Sequence, residues 1–244
     1  MESRRIIAKP EQASLDFDSR NTYTVRRSSR ARHLRITARH DTGIEVVVPK
    51  RMSLKHVEPF IRQHQPWIDQ QIARLGLDQP IILPDTIHLQ MTGEHWQVNY
   101  ETGHTEHYRL KQRGNTITIT GPDKELEACR DKLRQWLRKQ AKQELPVQLT
   151  ELGQQTGLSY QRVSIRTQRT RWGSCSSAGN LNLNDRLILL PKDLADYVMV
   201  HELCHTRHLN HSARFWQLVQ FHIPDYRQLE KQLKDSRQYL PNWL

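Results

Sequence analysis

His201, Glu202 and His205 form the pattern H-E-x-x-H, and a further histidine, His211, follows six residues after the second. On an α-helix of about 3.6 residues per turn, positions 201 and 205 lie one turn apart on the same face, so both imidazoles can bind one metal ion. Glu202 points to the neighbouring face, where it can accept a proton from a water held at that ion. The spacing therefore predicts the active site of a zinc hydrolase.

The segment that carries this pattern has the composition of a largely buried helix. Pro191 suits the first position of a helix, and Asp193 suits the helix dipole in the first turn. The apolar residues along the segment are Leu194, Ala195, Tyr197, Val198, Val200 and Leu203. Histidines on a buried helix need polar partners, which a bound metal ion would supply.

A third protein ligand is expected just after this helix. Beyond His205 the apolar periodicity is lost, and Asn210 can adopt the left-handed conformation that ends a helix. The chain can then turn back and present His211 to the ion. His208 is the alternative, because it lies seven residues from His201 on roughly the same face, although a continuing helix would carry it past the ion.

Before the helix, a cluster of Gly and Ser separates two segments that alternate as strands do, Val163 to Thr167 and Leu181 to Leu189. The pattern predicts an antiparallel hairpin that leads into the metal helix. An edge strand beside such a helix can hold an extended substrate by main-chain hydrogen bonds. Leu181, Asn182, Leu183 and Asn184 are the candidates for this substrate strand, and an ordinary half-buried strand is the alternative.

Several short strings in this half of the chain resemble the YgjP-like metallopeptidase family, which is related to the SprT and Spartan-type zinc proteases. The matching residues are Arg171 through Cys175, then Leu183, Asn184, Leu187, Leu190 and Pro191, then Asp196, Tyr197 and Val198, the helix 201–205, and Asn210, His211, Ser212, Phe215 and Trp216. The resemblance is strong over about 160–220. It is weaker in the Arg-rich strands and in Pro49 to Ile68, with Trp67.

The resemblance implies a small zincin-like catalytic domain with one zinc ion. Its ligands would be His201, His205 and His211, and its general base Glu202. Zinc suits three imidazoles and an open position, although manganese, cobalt or nickel can substitute. The family does not supply a firm substrate.

The fold class expected from the whole chain is α+β. Short alternating runs between Tyr23 and Val48, and again between Thr86 and Thr120, predict strands. A helix is expected from Ser53 to about Leu75, and another from Pro122 to beyond Leu145. We therefore expect a β-rich basic module at 1–121 and the catalytic domain at 122–244.

Basic charge is the other strong feature of the sequence. Lys and Arg exceed Asp and Glu by 11. Six arginines fall in one fourteen-residue stretch without acids: Arg26, Arg27, Arg30, Arg32, Arg35 and Arg39. Such a stretch predicts a phosphate-rich ligand or nucleic acid as a partner, and a solvated strand face is the alternative.

Further arginines lie close in sequence to the expected cleft, at Arg162, Arg166, Arg169 and Arg171. Such residues can bind a substrate's carboxylates or stabilise developing negative charge, and Arg171 is the best single candidate for that catalytic role. Tyr197 and Tyr226 are weaker candidates.

Three cysteines, Cys129, Cys175 and Cys204, are too few for a disulfide framework. Only Cys175 lies near the expected cleft, where a packed thiol is favoured over a ligand or nucleophile. Met1 to Lys9 is charged, and no apolar run approaches the roughly 18 residues that span a bilayer. We therefore expect a cytoplasmic protein without membrane contact.

Three functions fit these features. The first is a zinc metallopeptidase that acts on a peptide or protein, with Glu202 activating a zinc-bound water. The second is a metal-dependent phosphoanhydride or nucleotide hydrolase, which the arginines would suit. The third is a catalytically idle, zinc-stabilised nucleic-acid-binding module, in which His208, His222 or Cys175 fills the open position.

Overall fold

The structure is a computed structural model that describes residues 13–16, 22–39, 43–77 and 80–244. The charged segment Met1 to Lys9 was one reason to expect a cytoplasmic protein. It lies outside the described residues. The chain divides into two compact units, Met1–Ile81 and Ile82–Leu244. Each unit has its own apolar core, and the expected α+β class is confirmed.

The first unit contains a four-stranded sheet in the order β1-β2-β4-β3, in which only β2 and β4 run parallel. Its strands are β1 (Ala13–Asp16), β2 (Thr22–Ser28), β3 (Arg35–Arg39) and β4 (Gly43–Pro49). β4 is rich in β-branched valines that suit a pleated, buried strand, and Val46 and Val48 are fully buried.

Two helices, α1 (Val57–Gln63) and α2 (Gln65–Leu75), follow this sheet. Pro66 stands in the first turn of α2, where a proline costs no helical hydrogen bond. Their apolar faces bury Val57, Ile61 and Ile68 in the core of the first unit. The expected helix is thus present, in two pieces.

The second unit begins with a four-stranded sheet in the order β5-β6-β8-β7. Its strands are β5 (Thr86–Leu89), β6 (Glu94–Thr102), β7 (Arg109–Arg113) and β8 (Thr116–Gly121). Alternate residues of β8 are buried, as the period of a strand requires.

The long helix α3 (Leu126–Thr156) buries one side in the core of the second unit and continues through Pro146 to Gly157, whose φ of 67° closes it. Strands β5 to β8 share this core with α3. The compact units therefore divide at Ile81 and Ile82, well before the boundary expected near Gly121, because the strands after Thr86 bury their apolar face with the helix that follows them.

A three-stranded sheet comes next, in the order β10-β11-β9. Its strands are β9 (Arg162–Arg166), β10 (Gly173–Cys175) and β11 (Asn180–Asn184). The antiparallel hairpin is formed by β10 and β11, whereas β9 runs parallel to β11. The expected pairing of 163–167 with 181–189 as a hairpin is corrected, since β10 occupies what the sequence presented as a turn and Asp185–Leu189 is a 3-10 helix.

Helices α4 (Lys192–Cys204), α5 (Ala213–His222) and α6 (Tyr226–Lys234) complete the second unit, before a last 3-10 turn at Ser236–Tyr239. α4 packs against α3, α5 and α6 and against β10. Among the described residues, no helix has the length and apolar character needed to cross a membrane.

Candidate metal centre

The H-E-x-x-H segment lies at the end of α4, as expected. The helix begins after Pro191 and is buried along most of its length. Glu202 and His205 are buried and His201 is partly exposed. Because 201 and 205 are one turn apart, their ring centroids lie 4.9 Å from each other on one face.

α4 ends earlier than the sequence indicated, and by a different device. His205 is the C-terminal cap of the helix. The main-chain amides of Thr206 and His208 donate to carbonyl oxygens of the final turn. No described residue other than glycine has a positive φ. The left-handed conformation that we expected for Asn210 is therefore not found, and that expectation was wrong. Tightened bonds in the final turn end the helix instead, and the chain then runs to His211, just before α5.

The structure brings His201, His205 and His211 together. One ring nitrogen from each lies within 4.8 Å of the others. The Nε2 atoms of His201 and His211 are 3.1 Å apart. His208 is not in this cluster and contributes its main-chain oxygen instead, which accepts a bond from Nδ1 of His205 at 3.0 Å.

Two aromatic side chains of α5 support the three imidazoles. Phe215 is fully buried, and its ring centroid lies 4.9 Å from that of His201, 4.4 Å from that of His205 and 4.8 Å from that of His211. Trp216 stacks on His211 at 5.5 Å. Neither residue was predicted to have a role at the site, although both belong to the strings that resemble the family and lie four and five residues after His211.

The cluster fits a divalent metal ion. Two nitrogens bound tetrahedrally at 2.0–2.1 Å from zinc lie roughly 3.3 Å apart, close to the 3.1 Å between Nε2 of His201 and of His211. Donation from Nδ1 of His205 to a carbonyl leaves its Nε2 lone pair for a metal. Burial and the neighbouring imidazoles lower the pKa of His201 to about 3, and burial lowers the pKa of His205. These rings are therefore neutral at pH 7, as metal binding requires.

Glu202 lies beside the cluster without a hydrogen-bond partner for its buried Oε2 among the described residues. Burial raises its pKa to about 7, and the positive charge of Arg171 opposes that rise. Gly173 of β10 lies directly against this side chain, because an added Cβ there would be 2.6 Å from both Cγ and Oε1 of Glu202. Arg171, expected near the cleft, thus acts on the predicted general base.

The expected substrate strand requires a correction. β11, which contains Leu181, Asn182, Leu183 and Asn184, is the central strand of its sheet and is paired on both edges. An extended substrate therefore finds no open edge there. Leu181 and Leu183 are buried in the core, so the alternative of an ordinary structural strand describes them.

Asn184 has a structural task within this strand. Its buried side-chain amide donates to the main-chain oxygens of Gln168 and Arg171, both at 2.9 Å, and its Oδ1 accepts from the amide of Arg186. These bonds hold the loop that carries Arg171 and leads into Gly173. Asn184 thereby connects the sheet to the residues around Glu202.

The remaining candidate residues differ in how close they lie to the histidine cluster. Cys175 is half-buried in β10, and burial together with the charge of Glu202 raises the pKa of its thiol. His222 lines a cavity elsewhere, with Asp193 and Asp225. Neither belongs to the histidine cluster.

The two tyrosines that were weaker catalytic candidates lie near the aromatic residues of the site. Tyr197 is buried with its ring 6.0 Å from that of His201, and Tyr226 stacks on Trp216.

The six arginines of the first unit have mixed surroundings. Arg26 pairs with Glu45 at 3.0 Å, and Arg27 donates to the main-chain oxygens of Lys50 and Met52. No ion pair within the described residues is seen for Arg30 or the three later arginines. Binding of a phosphate-rich ligand by Arg26, Arg27, Arg30, Arg32, Arg35 and Arg39 stays a prediction.

Known proteins similar to this chain include one family that matches most of its length. The sequence model of a family described as YgjP-like, metallopeptidase domain, matches residues 32–236, which include all three histidines and Glu202. The crystal structure of the metallopeptidase zymogen of Pyrococcus abyssi abylysin is similar at 21% identity, over 38% of this chain and 94% of that chain, with a TM-score of 0.35. No curated protein matches the chain.

Proposed function

Because the chain belongs to the YgjP-like metallopeptidase family and is therefore a metal-dependent hydrolase, we propose that it binds one zinc ion and cleaves a peptide or protein. The proposed ligands are His201, His205 and His211, and the proposed general base is Glu202. One observation carries this proposal: three ring nitrogens converge within 4.8 Å, beside a buried carboxylate whose Oε2 has no partner among the described residues.

When bound, zinc supplies positive charge that polarises a substrate carbonyl and makes water a stronger acid. Glu202 accepts the proton of the attacking water and later donates it to the departing amine. The burial of Glu202 keeps other proton donors away from Oε2. His205 keeps its orientation through the bond from Nδ1 to the carbonyl of His208.

Arg171 is proposed to stabilise the negative charge that develops on the carbonyl oxygen. Its guanidinium is exposed and its charge acts on Glu202, so it lies within electrostatic reach of the reacting atoms. The bond from Asn184 to the main-chain oxygen of Arg171 supports this placement.

The substrate strand is proposed to be β10 (Gly173–Cys175) instead of β11. β10 is an edge strand of its sheet among the described residues, and Gly173 touches Glu202. An edge strand offers main-chain donors and acceptors to an extended peptide, which would place a peptide bond next to the general base.

The decisive experiment is Glu202→Gln with metal content and peptide hydrolysis measured on one preparation. The amide keeps the shape of the side chain but cannot take a proton, so we expect kcat to fall by about 10²–10⁴-fold with zinc content unchanged. Full activity in this variant would rule out Glu202 as the base.

A matched pair of histidine variants tests the ligands. His211→Ala removes a member of the cluster and is expected to lower zinc occupancy, whereas His208→Ala leaves all three ring nitrogens in place and is expected to retain one zinc ion per chain. Zinc is measured by mass spectrometry of the dialysed protein. Equal retention by both variants would contradict the assigned third ligand.

The same zinc-loaded preparation should be offered an unstructured protein and a nucleoside triphosphate. We expect cleavage of the protein, with the triphosphate left intact. Hydrolysis of the triphosphate alone, lost in Glu202→Gln, would keep the metal site and replace the substrate class by a phosphoanhydride.

A further inference from the structure

A groove of about 500 Å³ lies between α3 and β9 in the second unit. Arg138, Lys142 and Pro146 line it from the helix, and Val163 and Arg166 line it from the strand. A volume of this size is in the range of ligand-binding clefts. The groove is separate from the histidine cluster and takes no part in the proposed mechanism.

Positive charge dominates the groove, because three of its lining side chains are cationic and none is acidic. Arg138 and Lys142 are exposed and form no ion pair within the described part of the chain. Arg166 donates from Nε to Oδ1 of Asn182 at 2.9 Å, a neutral partner that orients the guanidinium and leaves its charge uncompensated. Clustered uncompensated charge attracts an anionic ligand.

The strand wall of the groove favours a polypeptide over a nucleic acid. β9 is an edge strand among the described residues, because β11 pairs with only one of its sides. Edge strands have unpaired main-chain groups that an extended peptide can use. No aromatic side chain lines the groove, so the stacking surface that single-stranded nucleic acids use is missing there.

The spacing of the helix charges matches an extended acidic peptide. Arg138 and Lys142 are four residues apart on α3, a separation of about 6 Å along the helix axis. Side chains on one face of an extended strand repeat every roughly 6.6 Å. Two acidic residues at alternate positions of a peptide can therefore meet both cations at once, whereas two consecutive acidic residues point to opposite faces.

We propose that this groove binds an extended acidic segment, with Asp or Glu at alternate positions, in protein substrates of the enzyme. Its role in substrate capture rests on the proposed peptidase function. β9 and β10 are the two edges of one three-stranded sheet, about 10 Å apart across β11. A substrate held by its acidic segment at β9 thus stays near the strand that adjoins Glu202.

Binding is tested on the full chain by fluorescence anisotropy with labelled six-residue peptides. The alternating peptide Thr-Glu-Thr-Glu-Thr-Glu is compared with Glu-Glu-Thr-Thr-Glu-Thr, which has the same composition but no two Glu at alternate positions. We expect the alternating peptide to bind at least about threefold more tightly, with affinity falling as salt rises. Equal affinity of the two peptides would overturn the proposal, since net charge alone would then govern binding.

Two double variants of α3 remove the same charge from different sides of the helix. Arg138→Gln with Lys142→Gln changes the groove, whereas Lys132→Gln with Lys139→Gln changes residues that line a different cavity. We expect the first pair to weaken binding about tenfold and the second by less than twofold. Equal losses, or tighter binding of a six-nucleotide single-stranded DNA through the same residues, would reject a peptide groove.

The function of the groove is separated from catalysis by a second readout. In the Arg138→Gln, Lys142→Gln variant, kcat/KM for a protein substrate with an alternating acidic segment should fall about tenfold, while that for a short neutral peptide should stay unchanged. Peptide binding by the Glu202→Gln variant is measured independently of turnover, so loss of the peptidase function would not imitate loss of the groove. An equal fall for both substrates would contradict an exosite.

Discussion

At the scale of single residues, the position of one carboxylate depends on the absence of a side chain. Glu202 packs so closely on β10 that a Cβ at position 173 would come within 2.6 Å of Cγ and Oε1. Real carbon contacts do not occur at that distance. Gly173 therefore acts as a positioning residue for the proposed base, and any larger residue must displace either the strand or the carboxylate.

We predict that Gly173→Ala lowers kcat for peptide hydrolysis by about 10–100-fold with zinc content unchanged, because a shift of about 1 Å in a reacting group has this effect. Steady-state kinetics and metal analysis on one preparation measure both quantities. Ser177→Ala, at an exposed position in the turn after β10, serves as the control and should keep near-normal kcat. Normal kcat in Gly173→Ala would show that Glu202 tolerates the displacement.

Some residues of the candidate site could be predicted from the sequence. The H-E-x-x-H spacing predicted two histidines on one face, since helical periodicity fixes that geometry locally. A third ligand was expected just after the helix, and His211, the first candidate for it, lies in the cluster. Gly173 and Phe215 were not assigned, because their contacts with Glu202 and with the imidazoles depend on tertiary packing that no local pattern encodes.

At the scale of elements, β11 stabilises the loop beside the site. Asn184 is 3% exposed and makes two bonds from its amide to the oxygens of Gln168 and Arg171. A loop of this kind has no ladder of its own, so its conformation depends on such side-chain bonds. The loop in turn sets the entry of the chain into β10.

We predict that Asn184→Ala lowers the free energy of unfolding by about 3 kcal/mol, because several polar groups lose their partners. Asn182→Ala, in the same strand, should cost about 1 kcal/mol or less, since that side chain is only partly buried. Urea unfolding monitored by circular dichroism provides the comparison. Equal effects of the two substitutions would mean that the loop does not depend on Asn184.

The amino-terminal end of α5 is the second element that shapes the site. Phe215 packs on all three imidazoles and excludes water from one side of the cluster. Metal-binding histidines are commonly oriented by a hydrogen bond from their second ring nitrogen. Nδ1 of His201 is buried and has no hydrogen-bond partner among the described residues. Packing against Phe215 therefore orients this ring.

We predict that Phe215→Leu weakens zinc binding about tenfold, the size of effect seen when a group that orients metal ligands is altered. Chelator competition measures the Kd. Val219→Ala is the matched control, because Val219 is equally buried one turn further along α5. Both changes should destabilise the metal-free protein, but only the first should alter the Kd. A similar Kd shift in the control would attribute the effect to general loosening.

Element identity was more predictable than strand pairing. The alternating runs at Thr86–Leu89 and Thr116–Gly121 are strands, as expected. The parallel pairing of β9 with β11 was not foreseen, because β10 has only three residues and its Gly-Ser composition is typical of a turn. A strand this short leaves no periodicity to detect.

At the scale of the whole molecule, the chain forms two compact units with separate cores, Met1–Ile81 and Ile82–Leu244. The family match runs through both, while the histidine cluster and Glu202 lie entirely in the second. The sequence placed a boundary near Gly121 because the strands before it and the helix after it look like different classes of structure. Their shared burial is a property of packing, which composition does not report.

Because all three proposed ligands belong to the second unit, zinc should stabilise that unit and not the first. At free zinc about 1,000 times the Kd, binding adds roughly 4 kcal/mol to unfolding of the unit that holds the ion. Hydrogen exchange should therefore slow in α3 and α4 on zinc addition, while amides of β2 and β4 keep their rates. The His211→Ala variant should show little change in either unit. Equal protection of β2 and β4 would mean that the two cores unfold together, since zinc contacts none of their residues directly.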